Sequence, residues 1–357
     1  MTRDRISWRA LSFLGALLFV LAEPSADAPL SAQAATYINS LPIPSRLQWN
    51  GNYGYCGEVS FISAGLYYGQ YVSQYDARAI TSPNVSQTSE NSQLLIGLND
   101  TATATSMRLA YIRPTGSALK NSPAFLAWIK DKIASGAPVI IGIFMNQNRF
   151  YGIQNLSAGD SDYDHIVTVT GFISTHTPTT PATYYSDDRI IFEDHGLWKR
   201  TTNGLPPYFF QYPLSSFQQT RRAANANMSE VYSLKNASNY GIAITGVVDT
   251  DKKTVPVRLT TSPNLESPAI RDGSNIRPAA SPLTLTITVS GLTPGVLYNL
   301  YRYDNVAKIP TASFNANTAK AAQKWAIRIV SGSTYVQSLN IQSNETAAFR
   351  AVPASAP

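Results

Sequence analysis

The chain has 357 residues, with 28 Lys or Arg against 22 Asp or Glu, so its formal net charge at pH 7 is +6. The positive residues are scattered, and the densest pairs are Lys199-Arg200 and Arg221-Arg222. Because a nucleic-acid-binding groove needs a sustained basic stripe, this distribution argues against a nucleic-acid partner. The length is enough for two domains of ordinary size, each with its own core.

The first 34 residues have the layout of a signal peptide. Arg3, Arg5 and Arg9 precede an apolar run from Leu11 to Ala22, and small residues follow at 32–34. The apolar run is about a dozen residues long, whereas a membrane-spanning helix needs roughly 20, so a retained anchor is the weaker alternative. We therefore expect residues 1–34 to be removed and the rest to be secreted, extracellular or periplasmic, without a membrane span.

The segment up to residue 239 mixes helix and strand patterns. A helix is predicted from Cys56 to Tyr68, after a Gly- and Asn-rich loop at 50–54, and another from Pro123 to Ile133. Buried strands are predicted at the apolar runs 139–144, 166–173 and 189–192. Helices first and strands afterwards indicate the α+β class.

Beyond residue 240 the helical patterns stop and strands with alternating apolar residues take over. Such alternation is found at 255–259, 283–289, 325–329 and 335–341. The sequence thus predicts a first domain at 35–239 and an all-β domain at 240–357, each able to fold by itself.

Cys56 is the only cysteine, so the chain has no internal disulfide and the thiol is either buried and inert or used in chemistry. It stands at the first turn of the predicted helix. There the unsatisfied backbone N–H groups and the positive end of the helix dipole stabilise a thiolate, the nucleophilic form. This position favours a nucleophile over a small core residue.

A cysteine nucleophile needs a base, and the chain offers His165, His176 and His195. His165 opens a predicted strand directly after a polar turn, whereas His176 lies in a Thr- and Pro-rich stretch typical of an exposed loop. Asp194 follows the next strand and is the candidate group that orients the imidazole. His195 competes with it, but adjacent residues on a strand point in opposite directions.

The order of Cys56, His165 and Asp194 resembles the papain-like cysteine peptidases. Within that superfamily, the segments YCGEVSFISAGLYYG, DHIVTVTGF and IIFEDHG resemble the bacteriocin-processing peptidases that cleave double-glycine leaders. The resemblance covers residues 48–196 and implies a papain-like fold acting on a peptide or protein substrate, without a cofactor. Phytochelatin synthases, which are peptidyl transferases with a similar Tyr-Cys-Gly nucleophile segment, are the second choice.

The same resemblance implies a side-chain amide that completes the oxyanion hole, usually a Gln about six residues before the nucleophile. Asn50 occupies that position here, Gln48 stands two residues earlier and Asn52 two residues later. Asn50 and Gln48 are the two candidates.

The carboxyl-terminal segment contains GLTPGVLY at 291–298, which resembles a turn of fibronectin type III domains. It implies a β-sandwich that makes cell-surface or carbohydrate contacts, and an inactive binding or adhesion protein is the alternative to an enzyme. The sequence has no paired-His or Cys-x-x-Cys spacing and no phosphate-binding Gly-rich loop, so neither a metal nor a cofactor is expected.

Overall fold

The computed structural model describes residues 35–49, 51–195, 209–217, 220–226, 232–234, 238–262 and 279–354. The predicted signal peptide at 1–34 and the candidate Asn50 lie outside the described residues. Residues 35–357 belong to one compact unit.

The central element is an antiparallel sheet. In the described part of the chain its main path runs β3-β9-β4-β5-β6-β7, and two further strands pair beside it, β1 with β5 and β8 with β4. The strands are β1 (Tyr37–Ser40), β3 (Leu109–Ile112), β4 (Val139–Met145), β5 (His165–Ser174), β6 (Arg189–Glu193), β7 (Phe209–Pro213), β8 (Tyr232–Ser233) and β9 (Gly241–Val247).

The α-helices all precede β9 along the described chain. They are α1 (Cys56–Tyr67), α2 (Gln74–Thr81), α3 (Asp100–Ser106), α4 (Ser117–Lys120), α5 (Ser122–Ala134), α6 (Gln147–Tyr151) and α7 (Arg221–Ala226). Helix α5 begins where Asn121 accepts from the N–H of Ala124 at 3.0 Å, with Pro123 in the first turn. Helix α1 is predominantly apolar, and every residue after Cys56 is buried, as expected for a helix enclosed by other elements.

Two smaller antiparallel sheets follow. The described residues give the orders β10-β11-β14 and β13-β12-β15-β2. The strands are β2 (Gln70–Tyr71), β10 (Val257–Ser262), β11 (Pro282–Val289), β12 (Leu297–Tyr303), β13 (Gln323–Arg328), β14 (Tyr335–Gln342) and β15 (Ala347–Pro353). Tyr298 is buried, and the N–H of Thr293 donates to its hydroxyl at 3.1 Å, which fixes the turn before β12.

The two predicted domains share one core. A single cluster of buried apolar side chains includes Phe61 and Leu66 of α1 together with Leu259 and Leu285 of the smaller sheets. Strand β9 lies beyond the predicted boundary at 239 yet pairs with β3 and β4, because its run of buried apolar residues suits the middle of a sheet rather than its edge. Apart from β2, the strands of the smaller sheets all come after Val247, and the domain division stays a prediction.

The mixed α+β class predicted from the sequence is confirmed. The predicted helices and strands around the candidate site are also present, with bounds that differ by a residue or two, as is usual for element ends. Among the described residues, no helix has both the length and the apolar character needed to cross a membrane.

Candidate active site

Cys56 is the first residue of α1 and is partly buried. The loop before it has three consecutive residues with positive φ, Asn52 at 53°, Tyr53 at 67° and Gly54 at 86°. Such a conformation costs free energy for residues other than glycine, so surrounding contacts must hold it. It turns the chain sharply into the helix that begins at Cys56.

Arg78 of α2 supplies those contacts. Its Nη1 donates to the carbonyl of Asn52 at 2.6 Å, Nη2 donates to the carbonyl of Gly54, and the guanidinium lies 3.7 Å from the centroid of the Tyr55 ring. Its Nε forms an ion pair with Glu58 at 2.6 Å, and both side chains are buried. A buried charge pair with further hydrogen bonds is costly to break, so Arg78 fixes the loop and the first turn of α1 together.

Steric crowding explains why glycine follows Cys56. A Cβ on Gly57 would lie 2.1 Å from the carbonyl oxygen of Leu94 and 3.2 Å from Cδ1 of Ile166 on β5. Only glycine therefore lets the start of α1 approach both neighbours this closely. The approach brings Cys56 to the strand that begins with His165.

His165 is buried at the start of β5 and contacts one candidate residue directly. Its Nε2 lies 2.8 Å from Oδ1 of Asp194, and the Cys56 side chain also acts to raise the pKa of the same ring. Burial lowers the pKa of His165, but the charges and hydrogen bonds of Asp194 and Cys56 outweigh it and raise the pKa from 6.5 to about 10. The ring is therefore held as an imidazolium beside the thiol at neutral pH.

Tyr232 of β8 orients the carboxylate of Asp194. Its hydroxyl donates to Oδ2 at 2.6 Å, so the two oxygens of Asp194 have separate partners in His165 and Tyr232. Burial and the neighbouring carboxylate raise the pKa of Tyr232 well above 10, which keeps the hydroxyl a donor. The Tyr232 ring packs against four aromatic side chains, those of Phe150, Phe192, Phe210 and Tyr212.

One of the two oxyanion-hole candidates lies in the described part. Gln48 is buried, its Oε1 has no hydrogen-bond partner among the described residues, and its Nε2 lies 3.3 Å from where a Cβ on Gly54 would be. The backbone N–H of Gln48 donates to the carbonyl of His195 at 3.1 Å, which ties this segment to the end of β6. These contacts place the Gln48 amide beside the loop that leads into Cys56, whereas Asn50 lies outside the described residues.

The other two histidines are engaged elsewhere. His195 is fully buried, with Nδ1 2.7 Å from the carbonyl of Arg46 and Nε2 3.4 Å from Oγ1 of Thr168, and burial lowers its pKa to about 4. His176 is partly exposed, and its Nε2 lies 2.9 Å from Oδ1 of Asp187. The structure thus brings His165, and neither of its competitors, to Cys56.

His176, Asp187 and Asp188 form a group whose potential ligand atoms lie within 4.8 Å of one another. Lys130 donates from Nζ to Oδ2 of Asp188. The Lys130 ammonium repels a metal cation and already neutralises the Asp188 carboxylate. We therefore describe these residues as an ion-pair network rather than as a metal site.

No pattern in the sequence indicates a role for Arg78 or Tyr232. Tyr232 lies 38 residues beyond Asp194 in a two-residue strand that has no periodic pattern. Arg78 resembles an ordinary surface residue of an amphipathic helix, and only the packing of α2 on α1 buries it. Glu58, two residues after Cys56, is the one signal for Arg78, because a buried carboxylate needs a cationic partner.

Hydrogen bonds connect Tyr232, Asp194 and His165, and the Cys56 side chain helps to raise the pKa of His165. A thiol beside such an imidazolium can deliver a nucleophile and a proton to one carbonyl group. Comparison with known proteins yields no match, either among protein-family models, among curated proteins or among solved structures.

Proposed function

We propose that this protein is a thiol-dependent hydrolase of peptide or amide bonds, with Cys56 as nucleophile, His165 as acid and base, and Asp194 as the group that orients His165. The observation that carries the proposal is the His165 ring, which lies 2.8 Å from the Asp194 carboxylate and whose pKa is raised to about 10 by Asp194 and Cys56. A cation in that position stabilises a thiolate at the helix start.

The reaction starts when the Cys56 sulfur attacks the substrate carbonyl carbon and its π electrons move to oxygen. The backbone N–H of Cys56 and the amide of Gln48 donate to the oxyanion. His165 gives its proton to the leaving amine, the C–N bond breaks and a thioester remains. Water then attacks the thioester and gives a proton to His165, the C–S bond breaks, and the thiolate–imidazolium pair is restored.

Tyr232 is a positioning residue that acts through Asp194. Two oxygens with fixed partners hold the carboxylate plane, and the carboxylate fixes which nitrogen of His165 faces the thiol. Since the Nε2 atom contacts Asp194, Nδ1 is the nitrogen available to Cys56. Precise placement of this ring matters because proton transfer requires hydrogen-bond reach at every step.

The finer fold assignment belongs to the same proposal. A helix that begins with Cys56 packs on an antiparallel sheet, His165 opens one strand and Asp194 follows the next, and this order supports a papain-like fold. The contact between Thr293 and Tyr298 supports a fibronectin type III-like arrangement of the smaller sheets. A peptide or protein remains the proposed substrate class.

Alkylation by iodoacetamide tests the nucleophile without knowledge of the substrate. Because the chain has one cysteine, any adduct on the folded protein is on Cys56. We expect labelling at about pH 6, where free thiols react slowly, and a rate at least about tenfold lower in His165→Ala. His176→Ala is the matched control and should label at the native rate.

A native thiol that reacts only after unfolding, or a rate unchanged by His165→Ala, would remove the catalytic assignment and favour a binding protein. Once labelling succeeds, product analysis separates hydrolysis from peptidyl transfer. A peptide library incubated with and without an added amine acceptor should yield free carboxyl ends in a hydrolase and new amides in a transferase.

A further inference from the structure

A pocket lies at the end of α1 opposite to Cys56, where the helix meets β10 and β15. Its volume is about 380 Å³, which falls within the range of small-molecule sites, roughly 300 to 1,000 Å³. Tyr67 and Tyr68 line it from the helix, Arg258 from β10 and Arg350 from β15. Helix α1 has 12 residues, and at about 1.5 Å per residue the pocket is roughly 16 Å along the helix from Cys56.

Arg258 is an exposed cation held in one orientation. Its Nη2 donates to the hydroxyl of Tyr67 at 2.9 Å, and its guanidinium lies 4.3 Å from the centroid of the same ring. Both contacts are with a neutral side chain, and among the described residues no carboxylate is within ion-pair distance of Arg258. The described lining of the pocket contains no Asp or Glu.

Arg350 is a buried cation with neutral partners. It is 1% exposed, its Nη1 donates to the carbonyl of Phe349 at 2.8 Å, and its Nη2 donates to Oε1 of Gln70 at 3.2 Å. Its Nε has no hydrogen-bond partner in the described part of the chain. Burial lowers the pKa of Arg350 to about 10, with Tyr303 and Asp249 opposing the shift, so the group is still charged at pH 7.

We propose that this pocket binds the anionic group, a carboxylate or a phosphate, of a small ligand. A guanidinium matches the oxygens of either group with parallel hydrogen bonds, and a buried guanidinium with no hydrogen-bonded carboxylate gains most from receiving one. The carboxylate of Asp249, which acts on Arg350, and the carboxyl end of α1, with about half a negative charge, together do not cancel the two positive charges of Arg258 and Arg350. The apolar lining at Val255 and Phe349 accommodates the rest of the ligand.

Isothermal titration calorimetry at low ionic strength tests the site with inorganic phosphate and with glucuronate, and glucose serves as the uncharged comparison. We expect at least one anion to bind, glucose to give no heat, and Arg258→Gln to weaken binding about tenfold or more. Arg328→Gln, on the exposed face of β13, is the matched control and should bind as the native protein does. Cys56→Ala should also bind normally, because the pocket is separate from the candidate active site.

Binding of phosphate alone identifies a phosphate group as the ligand chemistry, and binding of glucuronate alone identifies a carboxylate. Arg350→Met is a second variant, and we expect it to weaken anion binding if its circular dichroism spectrum shows that it is folded. If Arg350→Met is not folded, the binding of Arg258→Gln alone tests the proposal. The proposal is overturned if neither anion binds or if Arg258→Gln binds as tightly as the native protein.

Discussion

Replacing Asp194 by Asn removes the charge that keeps His165 protonated while leaving a side chain of the same shape. In the native protein the pKa of His165 is raised from 6.5 to about 10, which corresponds to about 5 kcal/mol in favour of the imidazolium. Among the groups that raise this pKa, Asp194 contributes most and Cys56 contributes less. Because burial opposes these groups and is the largest single effect, Asp194 supplies more than half of the net shift, so Asp194→Asn should lower the pKa of His165 by at least about 2 pH units.

NMR of protein labelled with ¹⁵N at histidine measures this directly, because the chain has only three histidines and single substitutions identify each ring. Since the folded-state pKa is raised, the native imidazolium should persist through neutral pH and be lost only as the pH approaches about 10. His195 gives a separate signal that titrates near pH 4. A native His165 ring that titrates near 6.5, or an Asp194→Asn ring that titrates as the native one does, would refute the charge network.

Three further substitutions test the supporting contacts. Tyr232→Phe should lower kcat about tenfold or more with KM little changed, because it removes one hydrogen bond to the Asp194 carboxylate and leaves the substrate-binding surface intact. Steady-state kinetics on a cleaved peptide test this, and a change in KM rather than in kcat would contradict it. Glu193→Gln should stabilise the protein at pH 8 by up to about 5 kcal/mol and have little effect at pH 4.5. The reason is that burial raises the pKa of Glu193 to about 8, so that ionisation of this carboxyl opposes folding as the pH rises. Urea unfolding at the two pH values measures the difference, and equal effects at both would contradict the prediction. Arg78→Gln should cost about 3–5 kcal/mol by leaving Glu58 buried without its partner, and the double substitution with Glu58→Gln should recover part of that loss in the same assay.

The sequence predicts best the elements whose pattern is local. Helix α1 and strands β4, β5 and β6 were all predicted, because long apolar runs bounded by turn residues define them. The placement of Cys56, His165 and Asp194 could also be predicted, since each stands at an element's end. Contacts formed only by tertiary packing, such as those of Arg78 and Tyr232, leave no such pattern.

Strand β9 shows how composition and strand pairing can assign one segment to different sheets. Its sequence is apolar and β-branched like that of the strands that follow, so composition assigns it to the carboxyl-terminal sheets. What places it in the central sheet is pairing with β3 and β4, which lie far away in the sequence. Which distant strands pair depends on how much apolar surface the assembled sheet buries, so the partner of a strand cannot be predicted from the sequence of that strand alone.

Helix α1 connects the candidate active site to the smaller sheets, and this bears on what those sheets do. At its start, the ion pair of Glu58 and Arg78 fixes the turn that carries Cys56. At its end, Gly69 has a φ of +75°, and a Cβ there would lie 2.9 Å from Cβ of Val257 on β10, so the turn out of α1 packs directly on the smaller sheets. Strand β2, immediately after that turn, pairs with β15. A helix held at both ends keeps Cys56 at a fixed distance from His165, and we infer that the smaller sheets belong to the scaffold that positions Cys56.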